Sequence, residues 1–370
     1  MTLRLEGIEK SFGRRVVLAG VSCEFPRGEI STVLGVSGCG KTTVLRIVAG
    51  LEFPDRGEVF LAGARITDWP PQRRSMGFVF QDLGVYSQLS VEKNLLLPLM
   101  ARRVPSAEAR KRVRQAAAHF GLEAFLPRPA ASLSGGEAQR LALAKALIRG
   151  PDVMLLDEPF SHLDAPLRRE ARRFVFSELR RLGTTSVLVT HDHEDAQEAG
   201  GLVLFLDQGR IVQSGSWETL YRQPAEPSVA RVVSFREPLT LSGTVRGESG
   251  GLRFHCEELS VSLELQPQVL CGNAPLSGER RLLFFRPEDL VAEPVSGPAG
   301  SADLDGPVVA SFLQGHVRFC RLQHSSGRFI EARLDTQGNP ASHLRVPLDR
   351  ARQLLLSQDS PVSHPNTSLS

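Results

Sequence analysis

Three things are scarce in this chain: cysteine, long apolar runs and excess charge. The cysteines number five, include no C-x-x-C pair and lie at Cys23, Cys39, Cys256, Cys271 and Cys320. This wide, odd-numbered spacing excludes a disulfide-dense secreted scaffold and favours a reducing cytosol. Lys and Arg number 44 against 41 Asp and Glu, which leaves a net charge of +3. No nucleic-acid partner is therefore expected, and any polyanion binding must be local.

No window reaches the ~18 to 20 uninterrupted apolar residues of a membrane span, so the chain is not expected to cross a bilayer by itself. At the N-terminus, Arg4 and Glu6 lie where a signal peptide would need its apolar stretch. What is present is an ordinary globular composition of 370 residues, 41% hydrophobic and 23% charged. That length predicts two domains.

Short β-branched apolar runs alternate with helical patterns through residues 1–235. The alternation predicts an α/β domain whose parallel sheet is buried on both faces. The predicted strands are 30–34, 77–80, 153–156, 186–190 and 202–206, and the predicted helices are 41–49, 106–120, 137–148, 167–182 and 193–199. Gly50 and Gly150 follow the first and third helices as C-cap residues would.

The pattern changes after a Pro-containing connector at 223–227. Residues 236–356 show short alternating stretches separated by Gly, Pro and Ser, which predicts a second, all-β domain built as a small barrel or sandwich. The stretches are 252–256, 259–265, 281–285, 315–322 and 329–334. The tail 357–370 is rich in Ser, Pro and Asn, and this composition predicts disorder.

The strongest chemical signal is a phosphate-binding loop between the predicted strand 30–34 and helix 41–49. The pattern G-x-x-x-x-G-K-[ST] is met by Gly35, Val36, Ser37, Gly38, Cys39, Gly40, Lys41 and Thr42. Its glycines let backbone N–H groups point inward, Lys41 can reach the terminal phosphates, and Thr42 can ligate magnesium. Cys39, at a helix N-terminus, is either a reactive thiol of lowered pKa or a small residue that fills space.

Two further elements carry chemistry. Asp157 ends a buried apolar run at the ligand-binding edge of the predicted sheet, where it can hold magnesium, and Glu158 can accept a proton from an attacking water. A second helix N-terminus carries a hydroxyl and two glycines, at Ser134, Gly135 and Gly136. These residues form either a second anion site without a lysine or an ordinary N-cap.

Taken in the order in which they occur along the chain, these motifs resemble those of an ATP-binding-cassette (ABC) ATPase. Residues 35–43, which include Thr43, look like Walker A, residues 153–158 like Walker B, and the LSGG at 133–136 like the family signature. Single residues complete the set: Gln81 matches the Q-loop, Asp164 the D-loop and His191 the switch histidine. Phe12 occupies the place of the aromatic residue that stacks on adenine.

The resemblance implies ATP and Mg²⁺ as cofactors and a head-to-tail pair of ATPase subunits. Ser134, Gly135 and Gly136 of one subunit would then bind the γ-phosphate held by the Walker loop of the other. The implied catalytic residues are Glu158 as general base, Gln81 and His191, and the implied magnesium ligands are Thr42, Gln81 and Asp157. Asp164 would lie across the dimer seam.

The all-β segment distinguishes branches of the family. The sequence FFRPEDL at 284–290 resembles a strand end of the regulatory, TOBE-like barrel of maltose-type importer ATPases. This implies a subunit that energises uptake of a sugar, a polyamine, ferric iron or an oxyanion. The implied partners are a second copy or a homologous ATPase subunit, integral membrane permease subunits and, indirectly, an extracytoplasmic solute-binding protein. The implied location is peripheral, on the cytoplasmic side of the cell (inner) membrane.

Three positions depart from the family pattern. Residues 85–89, which face the membrane subunit in the family, lack the usual aromatic followed by Pro-His; Glu137 replaces the commoner Gln; and His162 replaces a small residue. The alternative function is a non-transport ABC-type ATPase of repair or regulation. Repair ATPases carry coiled-coil or zinc insertions, and no sustained heptads or paired cysteines precede the signature here. A metal cluster at His191 and His193 would match no zinc spacing closely.

Overall fold

A computed structural model describes residues 2–248, 251–266, 277–295, 297–314, 316–334 and 342–357. The chain divides into two compact units, Met1–Thr219 and Leu220–Ser370. Apart from Ser357, the tail that the sequence predicts to be disordered lies outside the described residues, as does Cys271. Among the described residues, no helix combines the length and the apolar character that crossing a membrane requires.

The first unit is of mixed α/β class. Its elements in chain order are β1 (Leu3–Phe12), β2 (Arg15–Phe25), β3 (Ile30–Leu34), α1 (Lys41–Ala49), β4 (Arg56–Leu61), β5 (Ala64–Arg65), β6 (Met76–Val79), α2 (Val91–Ala101), α3 (Ser106–His119), α4 (Gly135–Leu147), β7 (Val153–Asp157), α5 (Ala165–Leu182), β8 (Thr185–Thr190), α6 (His193–Ala199), β9 (Val203–Asp207) and β10 (Arg210–Gly215). Helix α7 (Trp217–Arg222) spans the boundary to the second unit.

A six-stranded sheet lies at the centre of this unit, in the order β10-β9-β3-β8-β7-β6. All neighbours in it are parallel except β10, which pairs antiparallel with β9. Along β7, Val153 and Leu155 pack into the core that contains α1, whereas Met154 and Leu156 pack into the core built with helices α2 to α5. The sheet is thus buried on both faces, as its continuously apolar strands predict.

A second sheet of the first unit, in the order β2-β1-β4-β5, is antiparallel. The sequence analysis did not predict it. Register shifts interrupt the β1–β2 pairing between Leu5 and Ile8, between Ile8 and Glu9 and again after Lys10. Such irregularities break the two-residue alternation by which a half-buried strand is found in a sequence.

The helix ends follow local backbone rules. Helix α1 ends at the C-cap Gly50, whose φ of 74° is left-handed and therefore suits glycine, as predicted. Helix α4 begins at Gly135, two residues before the predicted start at 137, and its C-cap is Ile148. The predicted C-cap role of Gly150 is therefore wrong, because α4 ends earlier.

The second unit is almost entirely β, as predicted. It contains α8 (Pro227–Val233), β11 (Leu239–Glu248), β12 (Gly251–Cys256), β13 (Val261–Glu264), β14 (Arg280–Phe285), β15 (Val291–Pro294), β16 (Asp303–Gln314), β17 (Val317–Gln323), β18 (Phe329–Leu334), β19 (His343–Pro347) and β20 (Leu354–Ser357). One sheet has the order β13-β12-β11-β14-β20, and β15-β18-β17-β16-β19 close into a barrel. Closure leaves these five strands without a free edge.

The R-P-E segment after β14 is a packing element of the second unit. Arg286 is 1% exposed, donates to the carbonyl oxygen of Tyr221 and lies 3.8 Å from the centroid of its ring. The Tyr221 hydroxyl donates to Oε1 of Glu288 over 2.6 Å. Buried charges need such partners, so this segment holds Tyr221 near the end of β14 within the second unit.

Candidate functional site

The glycine-rich loop joins the end of β3 to the start of α1. Lys41 is 5% exposed, and its Nζ donates to the carbonyl oxygens of Gly35 and Val36, each over 2.9 Å. An ammonium has three donors, so two of them fix the loop while one stays available to a phosphate. Lys41 is also the first residue of helix α1. The first N–H groups of this helix add positive potential at the same point.

Two glycines of the loop are required by its geometry. A Cβ at Gly35 would lie 2.2 Å from the carbonyl oxygen of Leu206 on β9. Gly40 has a φ of 109°, and a Cβ there would lie 2.8 Å from Leu18. A side chain at either position would displace backbone or core atoms, so the loop holds its shape only with glycine.

The sheet edge brings Thr42 and Asp157 together. Thr42 Oγ1 donates to Oδ1 of Asp157 over 3.0 Å, which links the start of α1 to the end of β7. Asp157 is 5% exposed, and burial raises its pKa although the bond from Thr42 opposes this. A hydroxyl and a buried carboxylate side by side are hard oxygen ligands of the kind that Mg²⁺ prefers.

Glu158 and His191 meet at the same edge. Nδ1 of His191 lies 3.1 Å from Oε2 of Glu158, whose side chain is 17% exposed. Glu158 has a φ of 43°, and its N–H donates to the carbonyl oxygen of Val189 over 2.9 Å. A left-handed glutamate is uncommon and is held here by its neighbours, as is typical of residues at functional sites.

A charge network that the sequence analysis missed lies behind His191. Arg172 on α5 is 2% exposed and donates to Oδ1 of Asp195 over 2.7 Å. Thr190, which precedes His191, donates to the other oxygen of Asp195 over 2.6 Å. Burial raises the pKa of Asp195 to about 6 despite these bonds. Because α5 is rich in arginine, its sequence predicts that Arg172 lies on a solvated face. Only the tertiary structure shows that this side chain is buried.

Gln81 follows β6, and its side chain is exposed. Its carbonyl oxygen contacts Nε2 of His162, the residue that departs from the family pattern. Asp164 caps the N-terminus of α5 by accepting from the N–H of Leu167 over 3.0 Å. The structure thus brings the Q-loop and D-loop segments together, and the described contacts of Gln81 do not include Thr42 or Asp157.

The signature residues form a capping box at the start of α4. The Ser134 hydroxyl accepts from the N–H of Glu137, and the Glu137 carboxylate accepts from the N–H of Ser134 over 2.7 Å. Ser134 and Gly135 are exposed, whereas Gly136 is buried. None of the described contacts of this group reaches Lys41, Asp157 or Glu158.

Two other predicted residues lie around the loop. Phe12, at the end of β1, is 50% exposed, and Nζ of Lys10 lies 5.3 Å from its ring centroid. Cys39 is 7% exposed and belongs to the core that contains α1. Burial raises the pKa of its thiol, although Lys41 opposes this. Of the two interpretations of Cys39, its burial and the raised pKa of its thiol therefore favour the small residue that fills space.

The sequence of the chain is similar to that of known transporter proteins. The sequence profile described as ABC transporter matches residues 18–161. The spermidine/putrescine import ATP-binding protein PotA of Nitratidesulfovibrio vulgaris is 35% identical over 353 residues, which cover 93% of this chain and 94% of that protein. The chain belongs to the ABC transporter ATPase subunits.

Other ABC proteins are similar over shorter spans. PotA of Oleidesulfovibrio alaskensis is 37% identical over 286 residues, 77% of this chain and 75% of that protein. The sn-glycerol-3-phosphate import ATP-binding protein UgpC 1 of Rhizobium johnstonii is also 37% identical over 286 residues, 77% of this chain and 76% of that protein. The ATP-binding cassette MJ0796, in a dimeric post-hydrolysis state bound to ADP and Pi, matches with 29% identity and a TM-score of 0.52, over 58% of this chain and 98% of that one.

Membership of the ABC family confirms several sequence predictions. The chain is an ATP-binding ABC ATPase of α/β class with a C-terminal β-barrel, related to importer ATPases. ABC ATPase subunits act with a second ATPase subunit and with membrane permeases, so partners of these general kinds are expected. Among the described residues, no group of three or more His, Cys, Asp or Glu side chains could hold a metal ion. A metal cluster at His191 and His193 is therefore not observed there.

Proposed function

We propose that this ABC subunit binds ATP with Mg²⁺ at the β3–α1 loop and hydrolyses it with Glu158 as the general base, to power solute import through separate membrane subunits. The observation that carries the proposal is the convergence of two side-chain pairs on one sheet edge. Thr42 lies 3.0 Å from Asp157, and His191 lies 3.1 Å from Glu158. Ligands of open α/β sheets bind at this carboxyl edge.

Thr42 and Asp157 are the proposed magnesium ligands, with Gln81 as a third. Both oxygens are at the loop that carries Lys41, so a cation held there would face the same phosphates. When bound, Mg²⁺ neutralises charge on the transferring phosphate. Burial raises the pKa of Asp157, and a nearby dication favours its charged form. The residues present therefore fit the metal.

Glu158 and His191 are the proposed catalytic pair, with Gln81 completing the catalytic set. A carboxylate that is 17% exposed keeps its acceptor oxygens at the edge of solvent, where an attacking water can donate a proton to it. The left-handed backbone of Glu158, tied to Val189, directs the carboxylate towards His191. His191, 3.1 Å from the base, is the residue proposed to contact the terminal phosphate.

The remaining nucleotide contacts are divided between two copies or homologous subunits. We infer that Phe12 stacks on the adenine, because it is exposed and ends a strand. Residues 35–43 hold the phosphates in the same chain. Ser134, Gly135 and Gly136 act on the partner's ATP, a role supported by the exposure of Ser134 and Gly135 and by their separation from Lys41 in the described contacts.

Import is supported by the relatives and by the chain's second unit. The curated relatives of near-equal identity are named for two different solutes, spermidine/putrescine and sn-glycerol-3-phosphate. The ATPase sequence therefore leaves polyamine, sugar, ferric iron and oxyanion uptake open as solute classes. The proposed partners are integral membrane permeases and, through them, an extracytoplasmic binding protein. The proposed location is peripheral, on the cytoplasmic side of the inner membrane.

The variant Glu158→Gln tests the proposed chemistry. An amide cannot act as the base, whereas ATP affinity depends mainly on the phosphate loop and magnesium. We expect an ATPase rate lower by about 100-fold or more, with ATP affinity retained and a dimer trapped in ATP. A phosphate-release assay, titration with a fluorescent ATP analogue and light scattering measure the three quantities.

Glu170→Gln on exposed α5 surface is the matched control and should behave as wild type. Wild-type turnover in Glu158→Gln would remove Glu158 from the role of base. Loss of ATP binding in the same variant would instead place Glu158 among the residues that hold the nucleotide.

A further inference from the structure

We propose that Arg168 and Arg172 of α5 are positioning residues that hold the His191 segment against Glu158 and link it to the D-loop. The inference rests on the proposed function, since it assigns no chemistry to either arginine. The two residues are four apart on a helix and therefore share one face. That face is directed at the loop between β8 and α6, which carries His191.

Arg172 fixes this loop from within the protein. Its guanidinium donates to Glu194 over 3.0 Å and to Asp192 over 3.3 Å, in addition to its bond with Asp195. Asp192 is the neighbour of His191 and caps α6. The planar guanidinium of Arg172 thus bonds to three carboxylates of this segment. Three bonds restrict its backbone more than a single contact could.

Thr190 closes the arrangement on the other side of His191. Its hydroxyl donates to Asp195 and accepts from the N–H of Asp192 over 3.0 Å. Both sequence neighbours of His191 are therefore held, while the histidine ring itself is 56% exposed. The ring of His191 is accessible to a ligand, whereas the backbone on either side of it is held in place.

Arg168 connects the same loop to the D-loop. Its Nη2 donates to the carbonyl oxygen of Leu163 over 2.9 Å, and its Nη1 lies 3.6 Å from Oδ2 of Asp192. Leu163 immediately precedes Asp164, the D-loop aspartate that begins α5. Through Arg168, a displacement of the D-loop would thus move Asp192, which is one residue from His191.

One cavity of about 60 Å³ is lined by several groups of the proposal, Arg168 among them. Its lining includes Glu158, Arg168, His191, Asp192 and Asp195. The proposed base, the histidine, Arg168 and two of the carboxylates that bond to Arg172 therefore line one partly open cavity. A shift of the loop in this space changes the separation of His191 and Glu158 directly.

The test compares Arg168→Met and Arg172→Lys with Arg173→Met in the full-length chain. The Arg173 side chain is 80% exposed and lies on the same helix, so its replacement is a matched control. A displacement of about 1 Å can lower a rate by up to about 100-fold. We expect such a fall in kcat in the first two variants, with the KM for ATP and fluorescent ATP-analogue affinity nearly unchanged.

NMR of the histidine rings shows whether the fall in kcat arises from a change around His191. The chain has nine histidines, and the ring signal of His191 is assigned by its loss in His191→Ala. We expect Arg168→Met and Arg172→Lys to shift this signal, and Arg173→Met to leave it in place. Arg168 is one-third exposed, so its replacement leaves the core intact even if Arg172→Lys unfolds.

Wild-type kcat in a folded Arg168→Met variant would overturn the link to the D-loop. A lowered kcat with an unmoved His191 signal would overturn the route through His191. If the wild-type chain hydrolysed no ATP, the proposed function would fail, and the NMR comparison would still decide whether the arginines position His191.

Discussion

At the scale of single residues, burial decides properties that the motif alone leaves open. Cys39 lies at a helix N-terminus beside Lys41, two features that lower a thiol pKa. Its side chain is nevertheless 7% exposed, and desolvation is the larger effect. Burial therefore raises the pKa of this thiol, and Cys39 packs in the core beneath the phosphate loop.

We predict that Cys39 reacts slowly with iodoacetamide in the native chain near neutral pH. Each unit by which a thiol pKa is raised lowers the thiolate fraction by about tenfold, and burial further restricts access. Mass spectrometry of the loop peptide measures the rate, with Ser37→Cys supplying an exposed thiol in the same loop. Equal rates for Cys39 in native and guanidinium-unfolded protein would contradict the prediction.

At the scale of elements, the signature helix shows how one local motif can serve two purposes. Ser134 and Glu137 satisfy each other's backbone N–H groups, which explains why α4 begins before the apolar pattern does. The N–H of Ser134 lowers the pKa of Glu137. The departure from Gln to Glu at this position thus adds a charge to the cap without removing the exposed hydroxyl.

We predict that Glu137→Gln lowers the free energy of unfolding at neutral pH, by up to the ~0.3–1 kcal/mol typical of a charge at a helix N-terminus, because Gln can keep the hydrogen bond of the capping box. A carboxylate with a lowered folded-state pKa stabilises above its unfolded pKa, and that stability is lost as the pH falls through the folded value. The difference from wild type should therefore vanish at acid pH. Urea unfolding from about pH 7 to about pH 3.5 measures it, with Glu170→Gln as control. A difference independent of pH would contradict the charge-based account.

At the scale of the whole molecule, the chain consists of two compact units. All of the nucleotide motifs lie between Phe12 and His191, within the first unit. The second unit has its own core, built from β11 to β20. Residues 220–235 belong to the second unit, whereas the sequence favours a boundary after residue 235. We propose that residues 236–356 form a regulatory and dimer-supporting domain.

We predict that residues 1–235 alone stay folded and bind ATP but dimerise more weakly than the full chain without nucleotide. Their association would then depend on the ATP-filled seam alone. Circular dichroism, nucleotide titration and sedimentation measure these properties, and residues 1–219 provide the comparison for the boundary. Unfolding or loss of ATP binding would contradict the two-domain division, and unchanged dimerisation would contradict the supporting role.

The sequence by itself determined the parallel strands, the phosphate loop and the family, because these depend on local patterns. Strand β3, helix α1 and β18 have the predicted bounds, since each has uninterrupted periodicity and α1 has a glycine at its end. Asp157, Glu158 and His191 follow strands that end at one sheet edge, so the sequence predicted the place of these residues but not their side-chain pairings. The bulged sheet around β1 and the short strands β15, β19 and β20 were missed, because they lack a sustained alternation.

Only the tertiary structure decided which charges are buried. Arg172 and Arg173 are adjacent and chemically identical, yet their side chains are 2% and 80% exposed. Likewise, the position of Cys39 in the sequence is typical of a reactive thiol, whereas the structure places it in a hydrophobic core. Desolvation depends on atoms that are distant in sequence, and no local pattern specifies them.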